Sequence, residues 1–205
     1  YAADSSLYEI SPLCIVIPKS EADVVATVKY AYEKHVPLTA RGGGTSLAGQ
    51  SIGNGIVIDF SKYMNRVLKI SVEDDYVVVE PGLLKSDLDR RLKSLNKFFP
   101  PDPSSSDFCT VGGMIANNSG GAHTVKYGST IDYILSLKAV LCNGEIIETR
   151  PLKIGGDEWR KITGNDTLES KIYRELSVLV EENQTLIREA MPIVKKNCSG
   201  YRLDE

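Results

Sequence analysis

Residues 41–50, with the sequence RGGGTSLAGQ, have the composition of an anion-binding loop. Glycine main chain carries no Cβ, so its N–H groups can turn inward and approach an anion closely. Hydroxyl groups and a guanidinium supply further donors for a phosphate or a carboxylate. The residues that would supply these groups, together with the polar residue that closes the loop, are Arg41, Gly42, Gly43, Gly44, Thr45, Ser46, Gly49 and Gln50. The alternative is a tight connection between two strands, and the pattern favours the anion site.

Two common nucleotide motifs do not fit this loop. The dinucleotide pattern G-x-G-x-x-G, started at Gly42, ends on Leu47. The phosphate loop G-x-x-x-x-G-K-[ST] has Gln50 in place of its lysine, and it must open a helix, whereas residues 55–60 predict a strand. Without the lysine and the helix terminus, phosphoryl transfer loses its main electrostatic aids. A degenerate phosphate loop therefore stays only as an alternative from another class, beside a cofactor-free interaction module.

Residues 109–121, CTVGGMIANNSGG, form a second glycine-rich segment. Thr110 can cap a short helix whose first turn holds Gly112 and Gly113, which would leave its N–H groups free for an anion. Each glycine costs about 1 kcal/mol in a helix relative to alanine, so close approach to a ligand or tight packing must offset it. Asn117 and Ser119 add amide and hydroxyl groups suited to a ribose, an adenine or a ring edge.

The elements around these segments predict an α+β fold. Strand, helix and strand at the start form a βαβ unit that delivers the first loop at the carboxyl end of its second strand, the usual place for a ligand. A type I′ hairpin is predicted at Asn143 and Gly144. The predicted order is strand 13–17, helix 20–35, strand 36–40, strand 55–60, antiparallel strands 67–70 and 76–80, helix 84–95, loop 99–108, hairpin 134–149, surface loop 151–165 and helices 167–180 and 184–196.

Composition narrows the class of protein. The chain has 205 residues, 42% hydrophobic and 25% charged, with a net charge of −3, which is typical of a globular domain and argues against a nucleic-acid partner. No apolar run is long enough for a transmembrane segment. Four cysteines without a C-x-x-C pair and two histidines predict no metal site and a reduced, cytoplasmic protein; Cys14 is predicted to lie in the core. Because the chain starts on Tyr1 and ends on Glu205, we expect a domain excised from a longer protein.

Taken together, the motifs resemble the FAD-binding domain of the vanillyl-alcohol oxidase superfamily, the PCMH-type or FAD-linked oxidase domain. Within it they are most similar to the branch of D-lactate, glycolate and D-2-hydroxyglutarate dehydrogenases. The resemblance rests on residues 41–46 with 49–50, VEPG at 79–82, PDPSS at 101–105, residues 110–113 with 119–121, and YG at 127–128.

This resemblance implies a two-subdomain fold and non-covalent FAD. A small parallel βαβ subdomain would occupy about residues 1–70, and a larger mixed or antiparallel sheet flanked by helices about residues 71–205. Thr45 stands where some members attach FAD through a histidine. Residues 41–46 with 49 and 50 would hold the pyrophosphate. The adenosine and ribityl path would be lined by Pro81, Asp102, Pro103 and Ser105. The flavin end and the ribitol would be held by Thr110, Gly112, Gly113, Asn117, Ser119 and Gly120.

The same resemblance implies that the whole protein oxidises a 2-hydroxy acid by hydride transfer to the flavin. A downstream substrate domain would supply the catalytic residues, so none is assigned in this chain. Residues 197–204 resemble members that are fused to an iron–sulfur module, and a cytoplasmic protein peripheral to a membrane would fit. A related oxidase acting on another alcohol or on a sugar nucleotide is the alternative. His123 is interpreted as an ordinary loop residue.

Overall fold

In the computed structural model, which describes residues 1–194, 196–197 and 201–203, three parallel strands carry the first glycine loop. They are β1 (Cys14–Val16), β2 (Leu38–Arg41) and β3 (Ile56–Asp59), in the order β1-β3-β2. All four residues of β3 are buried, as expected for a β-branched strand that is paired on both sides. The predicted parallel unit is present, and its two earlier strands are separated by the third.

Helix α1 (Glu21–Lys34) connects β1 to β2 and packs on this sheet. The helix begins at a capping box of Ser20 and Asp23, in which each side chain bonds to the main chain of the other residue. Val24, Val28 and Ala31 of this helix are buried, whereas Tyr32 is 57% exposed. Cys14, predicted in the core, is also exposed, because β1 lies at the edge of the sheet rather than in its centre.

An antiparallel pair follows, β4 (Val67–Ser71) and β5 (Tyr76–Val79), and leads into helix α2 (Lys85–Lys93). Leu88 and Leu92 of this helix are buried in one cluster with Leu83 and Val111. Glu80 ends the pair: its two carboxylate oxygens accept bonds from Arg66 Nη2 at 2.7 Å and from the Arg66 main-chain N–H at 2.8 Å.

The Glu80 carboxylate makes the stability of the fold depend on pH. Its hydrogen bonds with the Arg66 side chain outweigh the effect of burial and lower the pKa of Glu80. A folded-state pKa below the unfolded one means that the stabilisation is complete above the ordinary glutamate pKa and is lost as the pH falls below it. We expect Glu80→Gln to lower Tm at neutral pH by about 3 °C.

Thermal unfolding between pH 7 and pH 3 measures this effect. The loss of Tm in Glu80→Gln should shrink as the pH falls, because the wild-type carboxylate becomes protonated. Glu73→Gln removes the same charge from the exposed turn between β4 and β5 and serves as the control. A constant difference in Tm over the whole range would contradict the prediction.

Short helices complete the first part of the chain. Helix α3 (Val111–Ala116) begins at its cap Thr110, whose side chain accepts from Gly113 N, as predicted. Helix α4 (Thr124–Tyr127) follows, and a 3₁₀ turn spans Thr130–Tyr133. Met114 is 1% exposed and anchors α3 in the interior.

The remaining elements are β6 (Leu137–Val140), β7 (Ile146–Thr149), α5 (Asp157–Thr163), α6 (Leu168–Glu182) and α7 (Gln184–Ala190). The hairpin turn is not type I′, because only Gly144 has positive φ; Leu141 accepts from Gly144 N and donates to Glu145 O, as in a type I turn followed by a left-handed glycine. The predicted loop 151–165 contains α5. The last helix ends at Ala190, ahead of Pro192, which could not donate in a continuing helix.

The structure divides into two compact units, Tyr1–Tyr133 and Ile134–Glu205. This division does not coincide with the predicted boundary near residue 70. Hydrogen bonds join the residues on either side of that position, since Gly82 N donates to Met64 O at 2.8 Å and Glu80 N to Arg66 O at 2.9 Å. The subdomain boundary near residue 70 stays a prediction. The predicted α+β class, with one parallel and two antiparallel sheets, is confirmed.

In the part of the chain that the structure describes, no helix has the length and apolar character needed to cross a membrane. The same residues contain no group of three or more His, Cys, Asp or Glu side chains placed to hold a metal ion. Of the ending at 197–204, residues 198–200 and 204 lie outside the described residues.

Candidate functional site

The first glycine loop leaves the sheet where β2 ends. Arg41 is in register with Asp59 of β3, and Phe60 N donates to Arg41 O at 3.1 Å. The loop then runs to Ser51 and returns as the central strand, so no helix begins at its end. This arrangement removes the helix terminus that the phosphate-loop alternative requires.

The structure brings the two glycine-rich segments together. A Cβ on Gly42 would lie 2.1 Å from Thr110 Oγ1, and a Cβ on Gly43 would lie 2.0 Å from Phe108 O. Both distances are far below van der Waals contact, so only glycine allows the loop to lie against the segment that precedes α3. The two predicted parts of the site therefore form one contiguous surface.

The glycine loop presents main-chain donors that have no acceptor in the part of the chain that the structure describes. Among the described residues, no hydrogen-bond acceptor pairs with the N–H groups of residues 42–47. Farther along the loop, Ala48 N and Gln50 N donate to Ser46 Oγ at 3.2 and 3.3 Å, and Ser46 Oγ donates to Gln50 Oε1 at 2.9 Å. Ser46 and Gln50 thus shape the loop from within, and the N–H groups before them are its available donors.

The Arg41 guanidinium is folded back over its own loop. Arg41 Nη1 donates to Ser51 O at 3.2 Å, and the guanidinium carbon, Cζ, lies 5.3 Å from the centre of the Tyr1 ring. Gly44, whose φ is +66°, leaves room for this side chain, since a Cβ there would lie 2.4 Å from Arg41 Nη2. Arg41 therefore places fixed positive charge beside the bare amides of the loop while bracing the loop's far end.

The start of α3 does not offer the free N–H groups that the sequence predicted. Val111 N donates to Leu83 O and Gly112 N to Pro81 O, both at 2.8 Å, and Gly113 N donates to Thr110 Oγ1 at 3.2 Å. These amides are occupied because α3 packs directly on residues 81–83. Gly112 is needed for this packing, since its Cβ would lie 2.7 Å from Pro81 Cβ.

Beyond α3, the structure reveals a donor that the sequence did not single out. Asn118 Nδ2 is buried and has no hydrogen-bond partner among the described residues, whereas its Oδ1 accepts from Ile131 N at 2.9 Å. Asn118 also has φ +44°, a conformation that asparagine tolerates better than most residues. The predicted neighbour Asn117 instead bonds to its own helix, through Nδ2 to Gly113 O at 3.1 Å. The doublet of asparagines after a short helix was the available signal, but it did not say which residue carries the free amide.

The remaining predicted residues lie in the loop before α3 and in the turn after it. Ser105 O accepts from Phe108 N at 2.8 Å, and Pro103 O accepts from Ser106 N at 3.0 Å. Ser119 O accepts from Thr130 Oγ1 at 2.6 Å. These bonds hold the main chain at Pro103, Ser105 and Ser119. At Gly120 a Cβ would lie 2.4 Å from Thr124 Oγ1, so the turn packs closely there.

Asp102 joins these two stretches. Its Oδ1 accepts from His123 N at 3.1 Å, and its Oδ2 is paired with His123 Nδ1. Burial raises the pKa of Asp102, but the hydrogen bonds from His123 together outweigh burial and hold that pKa below its usual value. His123, interpreted from the sequence as an ordinary loop residue, therefore ties loop 100–108 to the second glycine segment.

Comparison with known proteins matches this chain to the family model described as FAD binding domain over residues 12–150. The D-2-hydroxyglutarate dehydrogenase of Pantoea ananatis (strain AJ13355) is 37% identical over 205 residues, covering 98% of this chain and 20% of that protein. The glycolate oxidase subunit GlcD of Bacillus subtilis (strain 168) is 37% identical over 161 residues, covering 78% and 33%. The crystal structure of 6-hydroxy-D-nicotine oxidase from Arthrobacter nicotinovorans aligns with a TM-score of 0.60 at 25% identity, covering 66% of this chain and 29% of that one.

The chain thus spans 20% of the length of the D-2-hydroxyglutarate dehydrogenase that it matches. The match nevertheless includes both glycine-rich segments. The predicted similarity to dehydrogenases of this type and to FAD oxidases is confirmed.

Proposed function

We propose, because this chain belongs to the FAD binding domain family, that its first glycine loop binds the diphosphate of FAD. The observation that carries the proposal is the set of N–H groups in residues 42–47 that find no acceptor among the described residues, in a loop that lies against Thr110 and beside the Arg41 guanidinium. Bare amides and one fixed positive charge suit a diphosphate, which offers several acceptor oxygens. The binding side chains and amides would be those of Arg41, Gly42, Gly43, Gly44, Thr45, Ser46, Gly49 and Gln50.

The second segment fits the remainder of such a ligand. The buried Asn118 Nδ2 needs an acceptor, because an unpaired buried donor costs about 1–3 kcal/mol. A flavin ring edge or a ribityl hydroxyl would supply that acceptor. Around it we retain Thr110, Gly113, Asn117, Ser119 and Gly120 for the flavin end, with Pro81, Asp102, Pro103, Ser105 and Gly112 lining or supporting the rest of the path.

The residues of this chain would bind and orient the cofactor. FAD supplies the hydride acceptor when bound, and the protein contributes position and electrostatic surroundings. The hydrogen bonds between Ser46 and Gln50 stabilise the conformation of the loop. The close packing of Gly112 on Pro81 sets the distance between α3 and residues 81–83. No residue of this chain is assigned to proton transfer. We propose that the cofactor is non-covalent, since Thr45 offers no ring nitrogen for attachment.

For the whole protein we propose oxidation of a 2-hydroxy acid, the class of compound named for the dehydrogenases that this chain resembles. A further domain would supply the substrate site and the catalytic residues, and the same protein would carry an iron–sulfur module. Exposed free thiols at Cys14 and Cys142 support a reducing compartment such as the cytoplasm.

The test is a titration of the purified chain with FAD, followed by protein fluorescence and by visible absorbance of the bound flavin. We expect equimolar binding, and we expect denaturation in acid or SDS to release all of the colour. Colour that stays with the denatured chain would contradict the non-covalent assignment. An absence of FAD binding at any concentration would refute the proposed function.

A parallel titration with ATP and Mg²⁺ distinguishes the phosphate-loop alternative from the proposed binding of FAD. That alternative requires magnesium-dependent binding of ATP in preference to FAD. We expect ATP to bind weakly and without dependence on Mg²⁺, because the loop has neither the lysine nor the helix terminus.

A further inference from the structure

The first ten residues form a closed arm rather than an extended tail. Ile10 N donates to Ala2 O at 2.8 Å, and Ala3 pairs with Glu9 in an antiparallel bridge. Inside this closure, Asp4 Oδ1 accepts from Ser6 N at 2.8 Å. Residues 1–10, here called the N-terminal arm, lie ahead of the segment that matches the family model, which begins at residue 12.

The N-terminal arm contacts the glycine loop along its length. Asp4 Oδ2 accepts from Ser51 Oγ at 3.0 Å, just after the loop ends, and Ser51 is 8% exposed. Near the middle of the loop, Ser5 Oγ lies 3.4 Å from Gly44 O. At Gly49, where φ is +73°, a Cβ would lie 3.0 Å from the Tyr8 ring.

The other end of the arm reaches the base of the loop. Tyr1 Oη donates to Asp59 Oδ2 at 2.6 Å, and the Tyr1 ring lies beneath the Arg41 guanidinium. The arm therefore touches the loop at its first residue, its middle and its last turn. These hydrogen bonds and the Tyr1 ring contact fall on side chains and on the Gly44 carbonyl, and none of them involves an N–H group of residues 42–47.

A loop with this many glycines needs such support. Glycine loses more conformational freedom on ordering than any other residue, and the loop's own side-chain bonds come from its polar residues, Arg41 and Ser46, rather than from its glycines. A loop that is ordered before the ligand arrives spares that cost at binding, which tightens affinity. The arm supplies the order from outside the ligand site.

We propose that the N-terminal arm positions the glycine loop for the FAD diphosphate, and that Asp4 is its main positioning residue. This inference rests on the function proposed above. Asp4 joins the turn of the arm to the end of the loop, because one carboxylate oxygen accepts from Ser6 N and the other accepts from Ser51 Oγ. Burial raises the pKa of Asp4, but bonds from Ser6 and Ser51 outweigh burial and lower that pKa, so the residue is ionised at neutral pH.

Because Asp4 is negatively charged, an electrostatic role and a positioning role predict opposite changes in the affinity for FAD when it is replaced. A carboxylate near a diphosphate repels it, so loss of the charge alone would tighten FAD binding. Loss of positioning would weaken it. We expect Asp4→Ala to raise the Kd for FAD about tenfold, the effect of losing one charge-assisted hydrogen bond. Glu9→Gln removes the same charge from the same arm and should leave Kd unchanged or slightly lower.

A second measurement, on the chain without FAD, reports the mobility of the glycine loop directly. The ¹H–¹⁵N heteronuclear NOE reports motion of individual amides on the picosecond to nanosecond scale. We expect Asp4→Ala to lower this NOE at Gly43, Gly44 and Gly49 and to leave the amides of β3 unchanged. Ser51→Ala should act in the same way, and the double variant should be no worse than either single one.

The outcomes separate the two proposals. A wild-type chain that binds FAD, with Asp4→Ala binding as tightly or more tightly, overturns the positioning role of the arm. An unchanged NOE in both Asp4→Ala and Ser51→Ala overturns it as well, whatever the FAD titration shows. A wild-type chain that binds no FAD overturns the proposed function and, with it, a role in positioning for FAD. Retained β3 amide signals exclude global unfolding as the cause of a loss.

Discussion

Gly43→Ala is expected to weaken FAD binding by about 10- to 100-fold. The new Cβ would lie 2.0 Å from Phe108 O and 3.3 Å from Cys109 Cα, so main chain must move. The Phe108 side cannot yield easily, because its flanks cap α2 through Ser86 N to Ser106 O at 3.1 Å and Lys85 N to Cys109 O at 3.0 Å. The glycine loop must move instead, and overpacking of this kind costs about 1–3 kcal/mol, which corresponds to that range of Kd.

Gly155→Ala is the matched control for Gly43→Ala. Gly155 has φ +75° and nothing within 4 Å of its hypothetical Cβ, so the change carries conformational strain but no collision near the loop. We expect it to lower stability by about 1 kcal/mol and to leave the Kd for FAD unchanged. The measurement is FAD fluorescence titration together with thermal unfolding. Equal FAD affinity in Gly43→Ala and wild type would show that the two segments need not touch.

The adjacent glycines of α3 are expected to respond in opposite ways. Gly112→Ala should lower the free energy of unfolding by about 2–3 kcal/mol, because its Cβ would lie 2.7 Å from Pro81 Cβ and 2.8 Å from Pro81 O, two residues before the clustered Leu83. Gly113→Ala meets only Thr110 Oγ1, at 3.3 Å, and should raise stability by up to about 1 kcal/mol through helix propensity.

Denaturant unfolding of the two variants, followed by FAD titration, completes this test. We expect Gly113→Ala to weaken FAD binding although it stabilises the fold, because its face of α3 is left open by the protein. Gly112→Ala should lose stability first and affinity only as a consequence. Equal stability of the two variants would mean that Pro81 can retreat, and it would remove the packing role assigned to Gly112.

Much of the fold could be predicted because local signals agreed with it. Ser20 with Asp23 specified the start of α1, and Thr110 specified the start of α3. The positions that failed depend on contacts that no local pattern contains. Cys14 lies in an apolar run, yet its strand is at the edge, because the later β3 occupies the centre of the sheet.

The candidate site shows the same division. Glycine content identified both segments, and the structure brings them into contact at Gly42 and Thr110. The glycine content of the sequence could not show that the N–H groups of α3 are already hydrogen-bonded. Their acceptors, Pro81 O and Leu83 O, lie about thirty residues earlier in the chain. Nor could it show Asn118 Nδ2 or the N-terminal arm, because burial and long-range hydrogen bonds leave no periodic signature.

The insertion of β3 between two strands that precede it also orders events during synthesis of the chain. Until residue 59 has left the ribosome, β1 and β2 have no shared partner, and the glycine loop has only one of its two anchors. The proposed diphosphate site is thus completed by the strand that follows it. FAD bound at this site would stabilise the folded population by mass action.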